Sequence, residues 1–165
     1  MAEKIFRFRV LLDQEEEVFR DIQIEADETF DSFNQVILKS FGFSGMEMAS
    51  FYMSNEEWDK GEEITQMDMG APDGRPIKTM TDTNLSDMLT TEGQKMLYLY
   101  DFMRMWIFFI ELSKIEEPEK QKEYPAVALA VGEAPDETDK SPVDVFPSDS
   151  DEDFSGFENI DDLEE

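Results

Sequence analysis

Aspartate and glutamate are the only abundant residues in this sequence whose side chains commonly act in catalysis or bind metals, because the chain contains neither histidine nor cysteine. The lack of histidine removes the commonest general base at neutral pH and the usual zinc ligand. The lack of cysteine removes disulfide bonds, thiolate ligands and thiol nucleophiles, and no Ser-His or Cys-His catalytic pair can form. Any catalysis or metal binding would therefore depend on the 41 aspartates and glutamates.

Asp101 is the one acid that the sequence places inside an apolar stretch, between Tyr100 and Phe102. A carboxyl group removed from water in this way could serve as a general acid or base, or could hold a divalent ion. An aspartate that is hydrogen bonded within a turn explains the same position more simply. The residues alone leave both interpretations open.

Clustered acids elsewhere do not form a recognisable metal motif. Asp149-Ser-Asp-Glu-Asp153 begins like a calcium-binding loop, but its sixth position is Phe154 instead of glycine and its twelfth is Ile160 instead of glutamate. Neighbouring acids such as Glu15 to Glu17 are more simply a solvated loop. We therefore predict a protein that is not an enzyme, with no catalytic residue, no cofactor and no metal site.

The charge of the chain restricts its partners. With only 14 lysines and arginines the formal net charge is −27, which repels nucleic-acid phosphates and anionic membrane surfaces. We therefore expect a protein partner, with a basic surface favoured, and neither direct nucleic-acid binding nor membrane binding. The first ten residues carry charges throughout and no apolar signal-peptide core, so the expected location is cytoplasmic.

The elements that must position Asp101 lie on either side of it. Two apolar runs, Met96 to Phe102 and Trp106 to Leu112, are separated by three residues and are rich in aromatic and β-branched side chains. This pattern predicts a β-hairpin at the centre of a sheet. A membrane-spanning helix is excluded because the stretch has about 17 residues instead of roughly 20, and because Asp101 and Arg104 interrupt it.

The first two strands are predicted from the alternation of apolar and polar residues. Apolar side chains occupy the even positions from Phe6 to Leu12, and the period of two resumes from Val18 to Glu25 after a polar connection. A five-residue loop would join these strands as a hairpin. The resulting cross-strand partners are Phe8 with Ile22, Phe6 with Ile24, and Arg9 with Asp21.

One amphipathic helix is predicted from Phe30 to Phe41, where apolar residues recur at helical spacing. Thr29 or Asp27 is positioned to cap its start, and Gly42 is positioned to end it. The aromatic side chains along one side of this helix should pack in the hydrophobic core. We expect Trp106 of the central hairpin to be buried against Phe33 and Ile37 of this helix.

The remaining elements are shorter. Strands are expected at Ala49 to Met53, near Ile64, and from Tyr124 to Val131, and the last of these should be buried on both faces because its apolar run is continuous. A short helix is expected over 82–89. The predicted fold class is α+β, a mixed β-sheet with one main amphipathic helix and a short second helix packed on it, similar to a β-grasp.

The C-terminal part of the chain is strongly acidic. Residues 133–165 contain 14 acids and one base, a composition that cannot bury enough apolar surface to offset the entropy of ordering. We therefore predict a folded domain over 1–132 and a disordered acidic tail over 133–165. Near the end of the tail, four apolar residues recur every three positions and are candidate partner-binding residues: Phe154, Phe157, Ile160 and Leu163. A purely solubilising tail is the alternative.

Several ordered segments together resemble the plasmid Ri ORF-three-like family, whose members are also described as insertion-sequence passenger or TnpR-like proteins. The resemblance runs from Ile5 to Glu137 and rests on IFRFRVLL, VFRDIQIEADETFDSFNQVILKSFGF, LSDMLTTEGQKMLYLYDF, IELSKI and YP…GEAPDE. It implies an α+β fold with a mixed sheet and helices on one side. It implies no established biochemical function.

This sequence departs from the family pattern at its polar positions. The pattern has a Gly-Asp-Asp-Trp turn after Tyr-Asp-Phe, a histidine after that tryptophan, another histidine after the first helix, and cysteines near the end of the matched region. The corresponding positions here are Met103-Arg-Met-Trp106, Phe108 and Phe109, Met46 and Met48, and Ala134-Pro135. Any metal or catalytic role of those positions is therefore not transferred to this chain.

Three functional hypotheses follow. The leading one is a non-enzymatic protein-interaction or regulatory module. The second is an acidic nucleic-acid mimic that occupies a DNA-binding or RNA-binding protein, in keeping with the mobile-element association that the family implies. The third is an enzyme that uses carboxylates and a divalent ion. Resolvase activity, which the TnpR-like label suggests, does not fit a chain with five scattered arginines and so much negative charge.

Overall fold

A single sheet organises the computed structural model, which describes residues 4–66, 74 and 77–138. Its strands within those ranges are β1 (Ile5–Leu12), β2 (Phe19–Glu25), β3 (Ala49–Ser54), β4 (Glu63–Thr65), β5 (Lys78–Thr79), β6 (Lys95–Tyr100), β7 (Trp106–Glu116) and β8 (Ala126–Val131). Their order in the sheet is β5-β4-β3-β6-β7-β1-β2-β8. The sheet is mixed because β4 and β5 pair in parallel, whereas the other neighbours are antiparallel.

Helices cover one face of this sheet. The main helix, α1 (Phe30–Phe41), begins where the Thr29 side chain accepts a hydrogen bond from the Ser32 amide, and it ends at Gly42 in the left-handed conformation. The second helix, α2 (Leu85–Met88), follows a short 3₁₀ turn. The predicted α+β fold class, with one main and one short helix, is confirmed. In the described ranges no helix is long and apolar enough to cross a membrane.

The N-terminal hairpin has the predicted register. Phe8 lies opposite Ile22, Phe6 opposite Ile24, and Arg9 opposite Asp21. Along β1 the even residues face α1, and the odd residues face the opposite side of the sheet. Strand β1 also pairs with β7, so this first strand is enclosed on both edges.

The core lies between α1 and the sheet and is largely aromatic. Phe33 of α1 stacks on Phe8 at 4.4 Å and on Phe51 at 5.6 Å between ring centroids. Trp106 is buried, as expected, with 3 % of its surface exposed. Its ring lies 5.2 Å from that of Phe43, in the loop after α1. This loop therefore contributes to the core beside the helix.

The central hairpin is confirmed, since β6 and β7 are adjacent in the interior of the sheet. The predicted burial of β8 is wrong. This strand lies at the end of the sheet and pairs with β2 alone, and Val127 and Leu129 are 46 % and 41 % exposed. A continuous run of small apolar residues indicates a strand, but it does not reveal how many neighbours the strand has.

The chain continues against the domain beyond the predicted boundary at residue 132. Residues 133–138, here called the strap, include Ala134, which packs against the core, and Glu137, which forms hydrogen bonds to the loop after α1, to β6 and to β7. Residues 139–165 lie outside the described part of the chain. The disordered tail stays a prediction for that segment.

Candidate functional site

Three segments meet at one end of the sheet, which we call the hairpin end. They are the loop after α1 (42–48), the turn between β6 and β7 (101–105), and the strap. Of the residues at the hairpin end, the sequence pointed to a chemical role for Asp101 alone.

Asp101 organises the turn. Its backbone has a φ of 64°, and its Oδ1 atom accepts hydrogen bonds from the amides of Met103 and Arg104, both at 3.1 Å. The Arg104 guanidinium donates to Oδ2 at 3.3 Å. Only 2 % of the residue is exposed. Both carboxylate oxygens are therefore engaged by donors of the turn itself, and the interpretation as a hydrogen-bonded turn aspartate is confirmed.

The loop after α1 is attached to the end of β6. The amide of Asp101 donates to the Met48 carbonyl at 2.8 Å, and the Gly45 amide donates to the Tyr100 hydroxyl at 3.1 Å. Burial raises the pKa of Tyr100, and the negative charge of Glu137 also raises it, against opposing hydrogen bonds from Ser44 and the loop backbone. The phenol therefore stays neutral at physiological pH and keeps its proton for donation.

Glu137 connects the strap to both other segments. Its carboxylate accepts hydrogen bonds from the Ser44 hydroxyl at 3.0 Å, from the Tyr100 hydroxyl at 3.1 Å, and from the Ser44 amide. Its carbonyl oxygen accepts from the indole Nε1 of Trp106 at 3.0 Å. One residue of an acidic segment thus joins the loop, β6 and β7. Sequence reasoning missed it because an acid in an acidic run is ordinarily solvated.

Exposed apolar side chains lie on the two segments that these bonds hold together. Met46 in the loop is 83 % exposed, and Phe102 and Met103 in the turn are 44 % and 53 % exposed. We call these three residues the Met/Phe patch. Exposed apolar groups that lie together often mark contact sites, and methionine adapts its shape to different partners. The departures of Met46 and Met103 from the family pattern were the available sequence signal.

A second buried carboxylate lies on the sheet face opposite α1. Asp21 is 2 % exposed and accepts from Arg9 Nε at 2.8 Å, from Arg9 Nη2 at 2.9 Å, and from Arg7 Nη2 at 3.2 Å. Burial acts to raise the pKa of Asp21, but the hydrogen bonds from Arg9 and Arg7 outweigh it and hold that pKa below its ordinary value. The Arg9 guanidinium also lies 4.2 Å from the Phe19 ring centroid. This cluster joins β1 to β2.

Among the described residues, no group of three or more aspartates and glutamates is arranged to hold a metal ion. A surface cavity of about 400 Å³ is lined in part by Lys78, Asp82 and Asp87. Lys78 is already paired with Glu62 at 3.4 Å, and Asp87 caps α2. These charged groups thus have structural partners.

The four candidate residues of the tail, Phe154, Phe157, Ile160 and Leu163, lie outside the described residues. Their role in partner binding stays a prediction.

Comparison with known proteins gives the family of this chain. Residues 4–142 match the family described as plasmid pRiA4b ORF-3-like protein. The fold is similar to the crystal structure of a protein of unknown function from Methanosarcina mazei Go1, with a TM-score of 0.74, 22 % identity, and coverage of 86 % of this chain and 77 % of that chain. No curated protein matches. The chain belongs to the plasmid pRiA4b ORF-3-like family.

Proposed function

We propose that the protein is a non-enzymatic interaction module that binds a basic, partly apolar segment of a partner protein at the Met/Phe patch. The observation that supports this proposal is the exposure of Met46, Phe102 and Met103 on two segments held together by hydrogen bonds. Removal of such apolar side chains from water by a partner lowers the free energy of the system. Each of them is therefore an anchor for a partner.

The hairpin end is preorganised for binding. Asp101 fixes the turn that carries Phe102 and Met103, and Tyr100 fixes the loop that carries Met46. A preorganised surface loses little conformational entropy on association. The methionine side chains keep their own rotamer freedom, which allows apolar groups of different shape to be accommodated.

Charge determines the kind of partner. Of the segments that form the hairpin end, the loop carries Glu47 and the strap carries Glu133, Asp136 and Glu137, whereas the turn carries Arg104. The whole chain carries −27. A partner segment with lysines or arginines around one or two apolar anchors is complementary to this surface. The acidic field would speed its encounter, and the patch would supply affinity.

Affinity capture from the native cell tests the proposal. The test variant carries Met46→Ser, Phe102→Ser and Met103→Ser, which preserve charge and leave the hydrogen bonds of Asp101 and Tyr100 in place. The matched control carries Val127→Ser and Leu129→Ser, which remove exposed apolar groups from a different surface. We expect a wild-type partner to be lost with the patch variant and retained with the control.

The same experiment distinguishes a nucleic-acid mimic from a module that binds through the Met/Phe patch. A mimic binds through distributed charge, so its partner would remain with the patch variant and would be lost as salt is raised. Retention of every wild-type partner by the patch variant would contradict the proposed site.

A further inference from the structure

Strand β8 combines three properties that rarely occur together in so acidic a chain. It lies at the end of the sheet, its sequence AVALAV has no charged residue, and its side chains are largely exposed. Val127 lies opposite Ile22 of β2, whereas Leu129 lies opposite Asp21, so exposed apolar groups occur on both faces of the edge. Among the described residues, no strand pairs with its outer side.

Edge strands usually carry features that prevent pairing with another chain, such as a lysine, an internal proline or a bulge. Strand β8 has neither lysine nor proline within it. It does have a bulge, where the pairing with β2 shifts between Asp21 and Ile22. The bulge divides the strand and leaves Leu129 to Val131 as a regular stretch.

We propose that β8 is a self-association surface, through which two copies of this chain pair antiparallel to form one continuous sheet. Pairing satisfies the outer backbone N–H and C=O groups of both strands at once. Because AVALAV presents only alanine, valine and leucine, an antiparallel second copy places apolar side chains beside apolar side chains in every register. No charge is buried within the strand pair.

The charges at the two ends of β8 favour this arrangement. Residues 117–123, before the strand, contain two lysines and three glutamates, whereas residues 133–138, after it, contain three acids and no base. Antiparallel pairing places the acidic end of one copy beside the lysine-bearing end of the other. Parallel pairing would place the two acidic ends together. Residues 117–123 have a net charge of −1 and residues 133–138 a net charge of −3, so the strand ends repel each other less in the antiparallel arrangement than in the parallel one, and charge favours two-fold symmetry.

The net charge of −27 makes two copies of the chain repel each other at long range, and this repulsion determines how salt affects dimerisation. Salt screens the repulsion between the copies, so dimerisation should strengthen as ionic strength rises. Binding of a basic partner should weaken under the same change. The sign of the salt effect thus separates a second copy from a basic partner at this edge.

Sedimentation of the full chain at increasing concentration tests the proposal. We expect a monomer–dimer equilibrium with a dissociation constant below about 1 mM. This constant should fall at least about threefold when salt is raised from roughly 0.05 to 0.5 M. Leu129→Lys should make the chain monomeric. The control Thr81→Lys adds the same charge at an exposed position beside β5, at the opposite end of the sheet, and should dimerise like the wild type.

Hydrogen exchange of the wild type provides a readout that does not depend on a variant. Backbone amides of residues 126–131 should exchange at least about tenfold more slowly at a concentration that favours the dimer. A chain that stays monomeric at about 1 mM in high salt would overturn the proposal. So would a dimer that persists in Leu129→Lys with unchanged exchange at 126–131.

Discussion

Asp21 and Asp101 are equally buried, at 2 % exposure, but they have different roles. Asp21 accepts hydrogen bonds from two arginines of another strand, so it links β1 and β2. Asp101 accepts from the backbone and side chain of its own turn, so it shapes one local loop. Burial alone therefore does not identify a functional carboxylate. The origin of its donors shows whether it connects distant elements or organises a turn.

Trp106 should contribute more to the stability of the domain than either carboxylate. Trp106→Ala removes a buried indole that contacts Phe43, and it should lower the free energy of unfolding by about 3–5 kcal/mol. Chemical denaturation measures this loss. Trp106→Phe, which keeps a ring but loses the bond to Glu137, should cost clearly less. A loss below about 1 kcal/mol for the alanine variant would show that the indole is not part of the core.

Asp21→Asn should cost about 2 kcal/mol, because it weakens charge-assisted hydrogen bonds while Arg9 and Arg7 can still reach water. The cost should depend on pH. The folded-state pKa of Asp21 is depressed, so its contribution is present above the unfolded value of about 3.9 and is lost as pH falls through the folded value. Melting temperatures of wild type and variant should therefore converge in acid. A difference that is constant from neutral to strongly acidic pH would contradict this role.

The strap should have an intermediate effect. Ending the chain after Gly132 removes Ala134 and Glu137 and should lower the free energy of unfolding by about 1–2 kcal/mol. Ending it after Thr138 keeps these contacts and should change stability by less than about 0.5 kcal/mol. Thermal melts of the two truncated chains measure the difference. Equal stabilities would show that the strap contacts contribute nothing.

Asp101→Asn should have the smallest effect, below about 1 kcal/mol. Asparagine also tolerates a positive φ, and its side-chain oxygen can still accept from the amides of Met103 and Arg104. Asp101→Ala keeps neither property and serves as the sensitive comparison. An Asp101→Asn variant less stable than Asp21→Asn would contradict the view that Asp21 links two strands whereas Asp101 only shapes its own turn.

Patterns within single elements were predictable from the sequence. Period-two alternation fixed the register that places Arg9 opposite Asp21, and a capping residue and a glycine bounded α1 at Thr29 and Gly42. These signals depend on neighbouring residues along the chain. The α+β class and the central hairpin followed from them, whereas the family followed from the resemblance of several ordered segments.

Features that depend on distant neighbours were not predictable in the same way. The exposure of β8 depends on its place in the sheet, which its own residues do not encode. Glu137 is 93 residues from Ser44 and 37 from Tyr100, so its partners were not visible in the acidic composition around it. The candidate residues of the tail, including Phe154 and Phe157, are not tested by the described part of the chain.

The position of β1 between β2 and β7 also affects how the chain folds during its synthesis. Strands β1 and β2 can pair as soon as both have left the ribosome, but an isolated hairpin is at best marginally stable in water. The other edge of β1 pairs Ile5 with Glu116 and Leu12 with Phe108, so it stays open until most of the domain has been made. Pairing across such sequence separations is slow. We therefore expect one edge of β1 to stay unpaired in the nascent chain until β7 emerges and completes the centre of the sheet.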